Sequence, residues 1–285
     1  MSQAVLVFLA VPVGLVAGGF VTMLVDRIPD QTPLTWRSRC PFCEHPLAWG
    51  DVVPFFGWAR LRGRCRHCQH PITPAYVAVE LVTATLFVLV AVRYDRTDWL
   101  ILVPLVLVVA LVALSTIDFY VYRLPDRIVF PALALSFVMM AVLAVTEVGR
   151  PAALWHAAGG AIGYCFVLFV IHLVNPKGMG FGDVKLALLL GLHTGWVGGA
   201  FSTGWTAVAR LTFWAMFLGV LAGTVLGVTL ALLRRFVDRS VLLDPEGDVD
   251  ADGVPTSSIR KMAVPFGPGL AVGTLIVVLV PDLVL

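Results

Sequence analysis

The sequence predicts an all-α polytopic membrane protein of about eight transmembrane helices, with a small cytoplasmic zinc-ribbon-like domain between the first two. Three observations predict it. Of 285 residues, 59% are hydrophobic and only 13% are charged, where a soluble domain is nearer half apolar and a quarter charged. Apolar runs long enough to cross about 30 Å at about 1.5 Å per residue recur along the chain. Four of the 5 Cys stand in two C-x2-C pairs inside one Arg- and Pro-rich interruption, and Cys165 stands alone in an apolar run. That usage suggests a metal site in a reducing compartment rather than a disulfide framework. The net charge of +2 says little about partners. A lipid bilayer is the expected surrounding, no nucleic-acid partner is expected, and nothing in the pattern fixes an oligomeric state.

The first run, Val5 to Val25, has no basic segment before it and no Ala-x-Ala-like end, so it reads as a retained helix rather than a signal peptide. Residues 26–75 change character and form the cysteine domain. Seven further runs follow, near 76–92, 100–117, 128–146, 152–174, 184–203, 211–233 and 263–285. A second polar segment, 234–262, holds the acidic Gly/Pro-containing stretch Asp244 to Pro255 and reads as a loop.

Eight spans put both termini on one side and divide the connections into two sets. Of the 20 Lys and Arg, only Arg93, Arg96, Arg150 and Arg210 fall in one set. The rest lie in 26–75, 116–127, 175–185 and 234–262, and the positive-inside rule puts these segments in the cytoplasm and both termini outside.

Within that cytoplasmic set lies Gly178-Met179-Gly180-Phe181-Gly182-Asp183-Val184-Lys185. Its glycines allow a close approach of backbone, and Gly180, Gly182 and Lys185 are candidates for contact with a substrate or cofactor. Ionisable groups at the mouth of a span are costly and mark function; the structural alternative is that Asp183 caps the next helix while Lys185 reaches the interface. A partner carboxylate lies on the same side in Ser115-Thr116-Ile117-Asp118-Phe119-Tyr120-Val121-Tyr122-Arg123-Leu124-Pro125-Asp126. Asp118 ends an apolar run and has no local duty. Asp126, after Pro125, is placed to cap the fourth span and is a secondary site candidate. Asp118 and Asp183, brought close, would share a proton, one activating water and the other protonating the scissile group.

Cys40-Pro41-Phe42-Cys43 and Cys65-Arg66-His67-Cys68 are two knuckles with the spacing of a tetrahedral four-thiolate zinc site. Four thiolates close the coordination sphere, so the zinc is structural. His45, His67 and His70 read as loop residues, and Cys165 as a packing residue. Glu80, a few residues into the second span, is a candidate for binding substrate or cofactor, with an arginine pair as the alternative. His156, His172 and His193 read as structural.

Together these pieces resemble the bacterial type IV prepilin peptidases, of the GxGD class of intramembrane aspartic proteases. The resemblance is carried by Asp26-Arg27-Ile28-Pro29, by the two cysteine motifs, by Ile117-Asp118 with Leu124-Pro125-Asp126, by Gly178–Lys185, and by Val264-Pro265-Phe266-Gly267-Pro268-Gly269. It implies Asp118 and Asp183 as the catalytic pair, a prepilin or pseudopilin precursor as partner, and cleavage of a short basic leader after a glycine at the cytoplasmic face of the inner membrane. Many family members also methylate the new N-terminus with S-adenosylmethionine. The chain departs from the family pattern at Thr22, usually Asn, and at Ala75 and Val77, usually Arg and Pro around Tyr76. The expected division is 1–25 first span, 26–75 cysteine domain, and 76–285 catalytic membrane domain with its loop at 234–262. Two other readings compete: a transporter or ion pathway whose carboxylates relay protons, and a catalytically silent zinc-bearing scaffold of a secretion or pilus assembly. The apolar runs show no internal repeat of the transporter kind.

Overall fold

A computed structural model of the chain describes residues 3–33, 39–40, 42–43, 45–94, 99–176, 178–201, 204–236 and 265–283. Arg37, Arg96, Lys177 and most of the expected 234–262 loop lie outside them. The elements are α1 (Gln3–Arg27), the short α2 (Trp49–Val52) and α3 (Phe56–Arg60), then α4 (Ala75–Arg93), α5 (Leu102–Val121), α6 (Asp126–Thr146), α7 (Ala152–Val174), α8 (Phe181–Phe201), α9 (Trp205–Phe236) and α10 (Gly267–Leu279). Among the described residues, seven helices are long and apolar enough to cross a membrane. The protein is a multi-pass membrane protein.

The eighth expected span differs. α10 has only 13 residues, about 20 Å of helix, short of the ~30 Å hydrocarbon thickness. Prolines at both ends explain it. Pro265 precedes the helix and Pro268 occupies its first turn, where the missing N–H costs nothing. Pro281 forces Val280 out of helical geometry, at φ −131° and ψ 61°. The helix lies mostly inside the bundle, with Gly267, Gly269, Leu270, Gly273 and Val277 buried, and so need not meet lipid over its whole length.

Burial ranks the spans. Over its most apolar stretch α8 is 78% buried and the α5 span 56%, against 17% for α1 and about a third for α4 and α6. α5 and α8 are therefore the central helices. Small residues let α8 reach that position: ideal Cβ atoms on Gly191 and Gly195 would come within 2.3 Å of the α7 backbone oxygens of Gly160 and His156. α1 meets α4 in the same way, through Gly14 against Ala84 and Gly18 against Glu80. In lipid, where burial of apolar surface gives no advantage, close backbone contact of this kind supplies the packing attraction.

The cysteine segment folds as two copies of one small motif, Arg39-Cys40-x-x-Cys43-x-His45-Pro46 and Arg64-Cys65-x-x-Cys68-x-His70-Pro71. In each, the Arg and the Pro form an isolated antiparallel bridge, and the first Cys N–H donates to the His carbonyl, at 3.1 Å for Cys40 and 2.9 Å for Cys65. The copies face each other reciprocally: Phe42 stacks on His70 and His67 lies against His45. Asp51, with 2% of its side chain exposed, ties the segment together by pairing with Arg60 at 3.2 Å and with Arg66.

Candidate active site and metal centre

Asp118 lies in the last turn of α5. The helix ends because Tyr122 adopts left-handed geometry (φ 54°), its N–H returning to the Asp118 carbonyl at 3.0 Å. That turn aims the Asp118 carboxylate inward, 7% exposed. Asp183 sits in the first turn of α8, 8% exposed. α8 begins at Phe181, so the aspartate belongs to the helix rather than to the loop before it. The loop itself is fastened by His172 of α7, whose Nδ1–H donates to the Met179 carbonyl at 2.9 Å. An ideal Cβ on Gly180 would stand 3.5 Å from Asp183 Oδ2.

Both carboxylates line one cleft of about 510 Å³ at the loop end of α5 and α8. Gly180, Gly182, Asp126 and Lys185 line it too. Glu80 does not line this cleft; its Oε2 accepts the backbone N–H of Phe55 at 2.7 Å. Among the described residues no arginine pairs with it.

Asp126 corrects an expectation. It was placed to cap α6, but the residue in N-cap geometry is Pro125 (φ −70°, ψ 128°), and no side chain caps the helix. Asp126 is the first helical residue. Its two oxygens accept from Lys185 Nζ, each at 2.8 Å. The tertiary charge pair outcompetes the local cap, and it joins the starts of α6 and α8 across the cleft mouth. Lys185 is thereby held, rather than reaching freely to the interface.

Sequence reasoning missed two features. Gly267, at the start of α10, donates its N–H to Asp118 Oδ2 at 3.1 Å, and a Cβ there would fall 2.7 Å from that oxygen. The Gly-Pro-Gly opening of the last apolar run was the available signal. The turn Ile28-Pro29-x-Gln31, just after α1, forms another wall of the cleft. It brings the start of the cysteine segment to the same end of the molecule as the two aspartates.

A family model of the bacterial peptidase A24 N-terminal domain matches residues 13–94, and one of the type IV leader peptidase family matches residues 105–232. The chain is 31% identical to a prepilin leader peptidase/N-methyltransferase of Pseudomonas putida, over 99% of this chain and 93% of the relative. The chain belongs to the type IV leader peptidase family. Within that family it is also 30% identical to the enzyme of that name from Aeromonas hydrophila, over 94% of this chain and 88% of the relative, and 28% identical to that of Bacillus subtilis, over 94% and 92%. No solved structure matches the chain. The type IV leader peptidase family model spans both aspartates, and the N-terminal one spans all four knuckle cysteines. Membership sets the chain among peptidases, away from ion pathways and silent scaffolds.

The metal centre passes a geometric test. Zn–S bonds of about 2.3 Å at tetrahedral angles require sulfur–sulfur edges of about 3.8 Å. Cys40 Sγ and Cys68 Sγ are 3.8 Å apart, Cys43 Sγ and Cys65 Sγ 4.0 Å, and all four sulfurs lie within 4.8 Å of one another. The four thiol groups could hold one metal ion.

Proposed function

We propose that the chain is an intramembrane aspartic endopeptidase that removes the basic leader of type IV prepilin-like precursors at the cytoplasmic face of the bacterial inner membrane. The observation that carries this reading is the meeting of two buried carboxylates, Asp118 and Asp183, in one cleft at the loop end of the two central spans. One carboxylate, ionised, takes a proton from the attacking water, while the other, protonated, hydrogen-bonds to the scissile carbonyl and then gives its proton to the leaving amine. Gly267 N–H fixes one Asp118 oxygen, leaving the other for the reacting groups. The basic residues flanking the cleft side of the molecule favour a cytoplasmic orientation for it, with both termini outside.

Under this reading the domains are the first span, the cysteine domain at 26–75, and the catalytic membrane domain that follows. The metal is a structural zinc held by Cys40, Cys43, Cys65 and Cys68. Its role is to fix the reciprocal knuckle pair, whose adjoining turn walls the cleft.

Relatives carry an N-methyltransferase name, which implies S-adenosylmethionine as methyl donor. Glu80, a candidate contact for substrate or cofactor, does not line the aspartate cleft and accepts the Phe55 N–H with one oxygen, so a methyl-donor site that used it would stand apart from the cleft. The test is incubation of the purified protein with a prepilin in lipid, with S-adenosylmethionine present, and mass spectrometry of the product. A new N-terminus after the leader glycine is expected. An intact precursor, with a known family member active alongside, would remove the reading.

A further inference from the structure

The residues between α2 and α3 are unusual for a segment outside the spans. Val52, Val53, Phe55 and Phe56 are 43, 45, 38 and 63% exposed, a contiguous apolar run with Pro54 at its centre. Phe55 holds a positive-φ conformation rare for a residue with a side chain, φ 60° and ψ −54°. In water such a run would be a solubility liability.

Its depth supplies the explanation. Phe55 N–H donates to Glu80 Oε2 at 2.7 Å, and Pro54 Cγ is 3.5 Å from where a Cβ on Gly19 would stand. Glu80 is five residues into α4 and Gly19 eight residues before the end of α1, which places them about 8 and 12 Å inside their helices. α4 has only 19 residues, about 28 Å, so nearly all of it is needed to cross a hydrocarbon layer of ~30 Å. The segment beside Glu80 is therefore below the membrane surface, and its exposed faces meet lipid. Non-helical backbone at that depth is tolerated only where its polar groups are satisfied by protein. Here Phe55 N–H goes to Glu80, Phe56 N–H to the Pro54 carbonyl at 2.6 Å and Gly57 N–H to the Val53 carbonyl at 2.8 Å.

We propose that Val52–Phe56 is a membrane-dipping loop that seats the cysteine domain in the acyl-chain boundary of the adjacent leaflet, and that Glu80 positions it by accepting the Phe55 N–H. The occupant of this surface is phospholipid. Glu80 is a positioning residue, and the loop anchors the domain whose first turn, Ile28–Gln31, walls the aspartate cleft. The inference stands on depth and hydrogen bonding and does not depend on the peptidase reading.

The test places p-benzoylphenylalanine at Phe56 in the full chain, in vesicles of phosphatidylethanolamine and phosphatidylglycerol, and identifies photoadducts by mass spectrometry. Val138, 58% exposed in the middle of α6, is the lipid-facing reference. Phospholipid adduct at Phe56 of roughly a third of the Val138 yield or more is expected for a segment at the acyl boundary. A lower yield, or adducts only to another polypeptide, would overturn the loop's assignment. With the probe in place, Glu80→Gln, which keeps a carbonyl acceptor, should retain the adduct, and Glu80→Ala should lose it about tenfold. Equal adduct in Glu80→Ala and wild type, or loss in both variants with the Val138 adduct intact, would overturn the role of Glu80.

Discussion

Asp118 is held by a glycine 149 residues away in the chain. A methyl group at Gly267 would stand 2.7 Å from the carboxylate oxygen it serves, well inside van der Waals contact, so the carboxylate must turn. Gly267→Ala is expected to lower the turnover of leader cleavage by about 10- to 100-fold with little change in folding, since small displacements at a reacting centre are costly. Unchanged turnover would show that the contact does not position Asp118. The Asp126–Lys185 pair is half-exposed on the Asp side, so its coupling, read from a double-mutant cycle on thermal stability, should not exceed ~1 kcal/mol. A much larger value would indicate a role beyond joining α6 to α8. Asp118 and Asp183 were legible in sequence because each sits at the edge of an apolar run, where a carboxylate has no cheap structural use. Gly267 was not, because its duty is purely tertiary. Asp126 was misread because the local rule, a carboxylate before a helix caps it, ignores a lysine arriving from α8.

Under the proposed zinc assignment the knuckle pair depends on its metal for order, because among its described residues only Cys40 and Cys65 are buried hydrophobic side chains. Removing zinc with a chelator, or replacing any one of the four cysteines by serine, should make residues 39–73 protease-sensitive while the spans stay folded. Protection equal to that of the metal-loaded protein would contradict this. Asp51 adds a second tie with its own pH signature. Burial alone would raise its pKa, but the hydrogen bond and charge of Arg66, with help from Arg60, hold it below the ordinary carboxylate value. A lowered folded-state value means that the unfolded chain takes up the proton first. The stabilisation is thus complete above about pH 4 and lost only as pH falls through the depressed value. The excess proteolysis of Asp51→Asn over wild type should therefore be the same at pH 7 and pH 5, and a difference already shrinking at pH 5 would refute the assignment. The cysteine spacing made the four-thiol cluster legible from sequence. The reciprocal packing of Phe42 on His70 and His67 on His45 needed the fold. So did the short α10, where composition marked an apolar run but the prolines at 265, 268 and 281 set its length.

At the scale of the whole molecule, hydropathy identified the spans but not their order of burial. Period-based reasoning cannot separate a helix surrounded by protein from one facing lipid when both are apolar all round. The glycines of α8 hold that information, and they place this helix, with α5, at the centre of the bundle. Centrality gives the site its character: the two aspartates stand at the loop end of the spans most surrounded by protein, lining the cleft that opens there. Under the proposed function these two carboxylates act as one unit on the leader peptide. The most direct measurement is mass spectrometry of a prepilin incubated in lipid with wild type, Asp118→Asn and Asp183→Asn, each first shown to be inserted and metal-loaded. Cleavage by wild type is expected, with a loss on the order of 100-fold or more in each variant, the scale set by losing a general acid or base. Cleavage at near-wild-type rate by either variant would contradict that function.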